Sequence, residues 1–382
     1  MDIGLIIIYI LVGMHVALFV TMAAAWMLYR FPYRERHDKS AWPAVSIIIC
    51  AHNEDENLRH NLPAILAQKY GEWEVIVVND RSTDLTGKVL EVFQRKYDNL
   101  WVVNVVGQNG NKKNALDEGI KAAKHNIVLL TDADCRPQSH HWIQAMATCF
   151  KEGIDIVLGF SPFPEGPGLL NKVIRFETLY TAFLYGGMAL LKQPYMGVGR
   201  NLAYRKSVYL KATAPTKYKS TLSGDDDLVI NEMANGNNTT ICAVNQGIVW
   251  SAPKTTWASW WHQKRRHTGA SVHYKPSTKL LLLLTYVPII VLYPLIISFL
   301  VTGIVFNPIY IIYAGALLAV RLVLLLVGLP APINVLEQAS LLPFLLLCDF
   351  LISFILFSLG CLTAIKVHTW TNQHPHNVHK KT

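Results

Sequence analysis

Charge is scarce in this sequence, and its scarcity is local. Acidic and basic residues make up 16% of the 382 positions, against 52% apolar ones, a low share for a water-soluble chain. Residues 3–29 and 280–320 contain no Asp, Glu, Lys or Arg, and residues 341–365 contain one acid, Asp349. About 20 apolar residues in a helix cross a bilayer. The first and third stretches therefore each fit one span, while the second, interrupted at Asn307-Pro308, fits two. Residues 3–29 lack a basic leading region and a small-x-small cleavage site, which favours a retained anchor over a cleaved signal.

Other absences narrow the function. The six cysteines form no CxxC pair and no zinc spacing, so they read as reduced packing thiols. The formal net charge is +9, yet no basic stripe lies on a nucleic-acid-binding module, and no nucleic-acid partner is expected. Anionic lipid heads and diphosphates account for the basic excess instead. No GxGxxG follows the first predicted strand and no GxxxxGK[ST] occurs, which removes the dinucleotide fingerprint and the P-loop. The Gly-rich activation loop of nucleotidyltransferases is also missing. The tail with His374, His376 and His379 reads as solvated on composition.

The basic segment containing Arg30, Arg34, Arg36 and Lys39 follows the first apolar stretch. Lys and Arg beside a span favour the cytoplasmic side, so an integral membrane protein with a cytoplasmic middle domain is expected. Three further crossings would place Lys366, Lys380 and Lys381 outside, against the same rule. An interfacial or re-entrant C-terminal segment would avoid that conflict. The expected division is an anchor at 1–30, a cytoplasmic domain at 40–270, a membrane region of two to three helices at 279–366, and a polar tail at 367–382.

Within the middle domain, short apolar runs alternate with helical patterns, the mark of a βαβ sheet. Residues 45–51, 74–78 and 126–130 are too uniformly apolar for one-sided strands and should be buried on both faces. Residues 101–106 read as a further strand. Helices fit 54–68, 84–97, 112–124 and 139–151, with Ser82 or Thr83 as the N-cap of the second. Residues 169–192 fit a helix on the membrane side of the domain. Polar clusters follow three strands: His52-Asn53-Glu54, Asn79-Asp80-Arg81-Ser82 and Thr131-Asp132-Ala133-Asp134. Open α/β sheets bind ligands at the carboxyl ends of their strands, so these clusters should share one crevice.

Asp132 and Asp134 make a dense negative spot that Mg²⁺ or Mn²⁺ would relieve, because hard cations take carboxylate oxygens and bridge to phosphates. Asp225, Asp226 and Asp227 precede a predicted helix at 228–234. Helix-dipole complementarity explains one or two of these acids, and a general base explains another. Gln263 and Arg266 lie three apart on one helical face and can reach a diphosphate. Trp257, Trp260 and Trp261 fit an interfacial aromatic belt, with Trp260 and Trp261 also candidates for contact with an acceptor.

The order of these motifs, over residues 45–267, resembles the inverting family-2 glycosyltransferases of GT-A fold. The resemblance is to their membrane-integrated branch, which includes cellulose, chitin, hyaluronan and poly-N-acetylglucosamine synthases. It implies a Rossmann-like, mostly parallel α/β sheet flanked by transmembrane helices. It also implies transfer from a nucleotide-sugar donor to a lipid or saccharide acceptor. By that resemblance Asn53, Glu54, Asp80, Lys113 and Asp132 bind the donor, and Asp132 and Asp134 hold the metal. Asn201 lies on the acceptor-side strand. Asp225 and Asp226 stand at the family's acidic pair, the second acid being the base, with Asp227 as the alternative register. Gln263-Lys-Arg-Arg266-His267 is similar to the QxxRW motif. His267 replaces a Trp that stacks on acceptor sugars in polymerising members, which favours a single transfer or a short product. Asp225 replaces the commoner Glu. Transfer to a polyprenyl phosphate is the enzymatic alternative, and a membrane scaffold with a degenerate domain the non-enzymatic one.

Overall fold

The computed structural model describes residues 3–29, 42–106, 112–213, 226–271 and 274–364. The basic segment from Arg30 to Lys39, Asp225 and the C-terminal tail lie outside these residues, as does the side chain of His267. In chain order the elements run α1 (Ile3–Leu28), β1 (Val45–Ala51), α2 (Asp55–Leu66), β2 (Trp73–Asp80), α3 (Thr86–Gln94), β3 (Leu100–Val105) and α4 (Lys112–Ala122). They continue with β4 (Ile127–Asp132), β5 (Cys135–Pro137), α5 (Trp142–Ala147), β6 (Ile156–Leu158), α6 (Gly168–Leu190), β7 (Leu202–Arg205) and α7 (Lys206–Thr213). The last are α8 (Asp227–Met233), β8 (Thr239–Ile241), β9 (Val249–Ser251), α9 (Trp257–Ser271), α10 (Pro276–Val305), α11 (Ile309–Gly328), α12 (Pro330–Val335) and α13 (Leu345–Ala364).

Seven strands form one mixed sheet in the order β3-β2-β1-β4-β7-β6-β8. The first four run parallel, and β7 returns antiparallel beside β4. The continuous apolar runs have the expected cause, since alternate side chains of a strand feed opposite layers. Ile48, Ile76, Val78, Val128 and Leu130 enter the core shared with α4 and α6. Ile47, Ile49, Val75, Val77 and Leu129 enter the core beneath α2, α3 and α5. Gly119 lets α4 approach closely, because a Cβ there would meet Ile48 Cγ2 at 2.7 Å and Val78 Cγ2 at 2.9 Å.

All four expected helices of the sheet domain are shorter than their sequence patterns, α3 and α5 by the most. α3 starts at Thr86, where Asp84 Oδ1 accepts the Thr86 N–H at 2.9 Å. Ser82 and Thr83 do not cap it; they bond to Asn53 instead. α5 covers Trp142–Ala147 and is buried along its whole length.

Among the described residues three helices are long and apolar enough to cross a membrane: Pro276–Val305, Ile309–Gly328 and Ala339–Gly360. α6 joins them to the sheet. On one side it receives α1, whose Trp26 Nε1 donates to the Phe183 carbonyl at 3.0 Å. On the other side Arg175 donates to Gln338 Oε1 at 2.6 Å and to Ser340 Oγ at 2.8 Å, holding the turn between α12 and α13. Glu337 in that turn accepts from Gln138 and Asn245 of the sheet domain.

Arg321 of α11 and Asp349 of α13 form a bidentate ion pair, with Nε–Oδ2 at 2.8 Å and Nη2–Oδ1 at 2.6 Å, each side chain 2% exposed. Tyr293 of α10 donates to the same carboxylate at 2.7 Å. The guanidinium lies over the rings of Phe19 and Tyr180. One charge pair thus touches five helices. Desolvated charges inside apolar bundles need such pairing to persist.

Candidate active site

The parallel strands β1, β2 and β4 end side by side, and the backbone there is bent sharply. Asn53 and Arg81 take φ of +57° and +56°, a left-handed conformation that is uncommon outside glycine and costs energy. A mesh of bonds fixes it. Asn53 N–H donates to Ser82 Oγ, the Thr83 N–H donates to Asn53 Oδ1, and the Glu54 N–H donates to Thr86 Oγ1. The two strand-end loops therefore behave as one unit. Asp80 is buried at the end of β2 and pairs with Arg81 Nε at 2.8 Å.

Asp132 and Asp134 sit at the end of β4. Lys112, the first residue of α4, reaches Asp132 Oδ1 at 2.9 Å. Burial pushes the Asp132 carboxyl up, but Lys112, Arg200 and Arg266 outweigh it and hold the group below its ordinary range. Asp134 goes the opposite way. Burial and the adjacent Asp132 charge raise it, against a hydrogen bond from the Cys135 thiol at 3.3 Å and the more distant Arg200 and Lys112. Glu54 is also raised, first by burial and then by Asp134 and Asp132, although Asn57 and Lys254 oppose this. Neighbouring carboxylates whose environments push them apart mark a site short of positive charge.

Asp226 arrives from far along the chain. It precedes α8, its Oδ1 accepting the Asp227 N–H at 3.0 Å and its Oδ2 accepting the N–H of Gly199. A Cβ on Gly199 would meet that carboxylate at 2.7 Å, so only glycine allows the approach. Residues Gly199–Asn201 form a turn leading into β7. The β4–β7 register ends at Leu130 and Leu202, and the Gly199–Asn201 turn beyond it packs against β4, which brings Arg200 within electrostatic reach of Asp132. Asp226 is therefore held by the turn whose arginine faces the paired aspartates. Asp227 is engaged elsewhere, hydrogen-bonded to the buried Tyr274.

The remaining expected residues divide clearly. Arg266 on α9 lies within electrostatic reach of Asp132, and Gln263 is half-buried one turn earlier. Lys113 is buried at 4% exposure, while its neighbour Lys112 makes the contact to Asp132; adjacent helical residues point about 100° apart. Asn201 is fully buried. Its Nδ2 donates to the carbonyls of Phe160 and Gly247, and its Oδ1 accepts from Trp142 Nε1. This leaves Asn201 the task of holding the Gly199–Asn201 turn. Trp260 is 1% exposed and packed in the core, Trp261 is half-buried, and Trp257 is 47% exposed. Arg200 and Lys254 were not singled out in the sequence. Arg200 adjoins Asn201 in the sequence, and it is the packing of the Gly199–Asn201 turn on β4 that brings it to Asp132.

Residues 46–211 match the family described as Glycosyl transferase family 2. This segment is a family 2 glycosyltransferase domain. The protein is similar to the probable glycosyltransferase YdaM of Bacillus subtilis, with 29% identity over 248 residues, covering 60% of this chain and 56% of that protein. It is also similar to the poly-beta-1,6-N-acetyl-D-glucosamine synthase of Staphylococcus epidermidis, with 37% identity over 90 residues, covering 24% of this chain and 21% of the synthase. The chain thus spans about half the length, or less, of these curated relatives. Among solved structures, the mannosyltransferase PcManGT of Pyrobaculum calidifontis, in complex with GDP-Man and Mn²⁺, superimposes with a TM-score of 0.57. The identity is 18%, covering 94% of this chain and 99% of that one. That likeness supports the GT-A fold of the glycosyltransferase domain.

Proposed function

We propose that the protein is a membrane-bound inverting glycosyltransferase. It moves a sugar from a nucleotide-diphosphate sugar to a hydroxyl of a lipid or saccharide, at the cytoplasmic face, for cell-envelope or exopolysaccharide synthesis. The anchor, the domain of residues 40–270 and the C-terminal spans are its parts. Three C-terminal passes would carry residue 364 to the face opposite the domain, with the turn between α11 and α13 on the domain side. The observation that carries the reading is the pair Asp132 and Asp134 within electrostatic reach of Lys112 and Arg200, with Asp226 anchored on the turn that carries Arg200.

The carboxylates fit an Mg²⁺ or Mn²⁺ ion. Asp134 is raised by a like charge that a cation would offset. Asp132 and Asp134 would hold such an ion at the end of β4. When bound, the ion supplies positive charge to the leaving diphosphate. Asp226 takes the proton of the acceptor hydroxyl as its oxygen attacks the anomeric carbon, and the bond from that carbon to the diphosphate oxygen breaks. Arg266 and Lys112 hold the diphosphate oxygens as charge builds on them. Asp80 and the loop of Asn53 and Glu54 receive the nucleoside side of the donor. Gln263 orients the same diphosphate, and Trp261 borders the acceptor.

Membranes containing the full chain should transfer label from at least one of a panel of radiolabelled nucleotide sugars. EDTA should abolish the transfer, and Mg²⁺ or Mn²⁺ should restore it. A lipid-extractable, acid-labile product would identify a polyprenyl phosphate as acceptor. No transfer from any donor, with the protein folded and membrane-inserted, would contradict the reading.

A further inference from the structure

Arg200 has a setting that packing alone does not explain. Its guanidinium lies over the Phe163 ring, with Cζ 4.6 Å from the centroid. A cation–π contact of this kind holds the group without using its N–H donors in hydrogen bonds. Among the described residues that edge makes no hydrogen bond and no close ion pair. The backbone that carries it is held tightly. Asn201 anchors one side through three buried hydrogen bonds, and the Gly199 N–H is fixed on Asp226. A long, charged side chain on so firm a base, in a half-buried site, retains its donors at a defined place.

That place lies between the two centres of the proposed chemistry. The Gly199–Asn201 turn that carries Arg200 packs against β4, the strand that ends at Asp132, and the neighbouring Gly199 holds Asp226. Arg200 acts on both Asp132 and Asp134 through space. Asp132 already has Lys112 at 2.9 Å as its close partner, so the guanidinium is not needed to pair it. A fork of unengaged N–H donors beside a carboxylate pair suits an anion that arrives with its own counter-cation. Planar bidentate recognition of phosphate is what guanidinium does best.

We propose that Arg200 is a phosphate-binding residue of the site, taking a phosphate oxygen of one of the two substrates between Asp132 and Asp226. This rests on the transferase reading above and adds a ligand to it. The phosphate belongs either to the donor diphosphate or to an acceptor that is itself a phosphorylated lipid. Arg200 serves both chemistries by the same bidentate contact.

The test uses the purified full chain in detergent, as wild type, Arg200→Ala, Arg200→Gln and Arg200→Lys. Calorimetric titrations are run with UDP and GDP in the presence of Mn²⁺, and separately with a polyprenyl phosphate. Arg200→Ala should lose about tenfold or more in affinity for one of these ligands, the scale of a lost charge-assisted hydrogen bond. Loss for the nucleoside diphosphate assigns the phosphate to the donor, and loss for the polyprenyl phosphate assigns it to the acceptor. Arg200→Gln, which keeps length over Phe163 without charge, should behave like the alanine variant and covers the case of its misfolding. Arg200→Lys should recover part of the affinity. Wild-type affinity for every ligand in both neutral variants would overturn the role of Arg200 while leaving the transferase reading intact. Failure of the wild type itself to bind either nucleoside diphosphate would overturn the transferase reading.

Discussion

Asp226→Asn is expected to lower turnover by about 10²–10⁴-fold, the contribution of a positioned general base, while nucleoside diphosphate binding stays near wild type. The expectation comes from where the two carboxylate oxygens point. One accepts the Gly199 N–H and the other the Asp227 N–H, so the group is anchored at the turn that faces Asp132. An asparagine keeps the shape and one acceptor oxygen but sets its NH2 against the other backbone N–H, so thermal unfolding of the variant is measured beside its turnover to separate lost folding from lost chemistry. What it loses is the capacity to take a proton. Single-turnover measurements with saturating donor separate the two effects, since the chemical step should slow without a change in donor affinity. Asp227→Asn should have a much smaller effect, because that carboxylate is directed to Tyr274. Near wild-type turnover in Asp226→Asn would move the base to Asp227.

Asp349→Leu is expected to destabilise the membrane bundle by about 3–5 kcal/mol, the cost of leaving one buried charge unpaired. Arg321 would then stand 2% exposed among apolar helices without its carboxylate. Tyr293 would lose its acceptor in the same step. The double variant Arg321→Met/Asp349→Leu should recover most of the loss, because removing both charges also removes the desolvation cost. Thermal unfolding in detergent reads both. The account of this pair fails if the single variant unfolds with the wild type. It fails equally if the double variant is no more stable than the single one.

The parts of the molecule legible in the sequence are those whose physics is local. A strand buried on both faces leaves an unbroken apolar run, and Val45–Ala51 and Ile127–Asp132 are such strands. Their polar ends mark the crevice because a parallel sheet presents the carboxyl ends together. The apolar stretches announce their helices in the same way, by length and lack of charge. Contacts between distant segments leave no such trace. Asp349 stands out in the sequence as a lone acid, but its partner Arg321 is on another helix 28 residues away. Arg200 becomes interesting only through the packing of the Gly199–Asn201 turn on β4. Nor does the pattern announce that Lys112, at the start of α4, pairs with Asp132 at the end of β4. Asn201 shows the converse case. A polar residue beside the site looks available in sequence, yet three buried partners claim its amide.

The most direct test follows the electron paramagnetic resonance signal of Mn²⁺ added to the purified full chain together with UDP or GDP. With the wild type the free-ion signal should fall below that of a protein-free mixture of Mn²⁺ and the same nucleotide, and with Asp134→Ala and with Asp132→Ala it should match that mixture. A wild-type signal no lower than the protein-free mixture with either nucleotide, or the same further loss in both alanine variants, would contradict a diphosphate site built on these two aspartates.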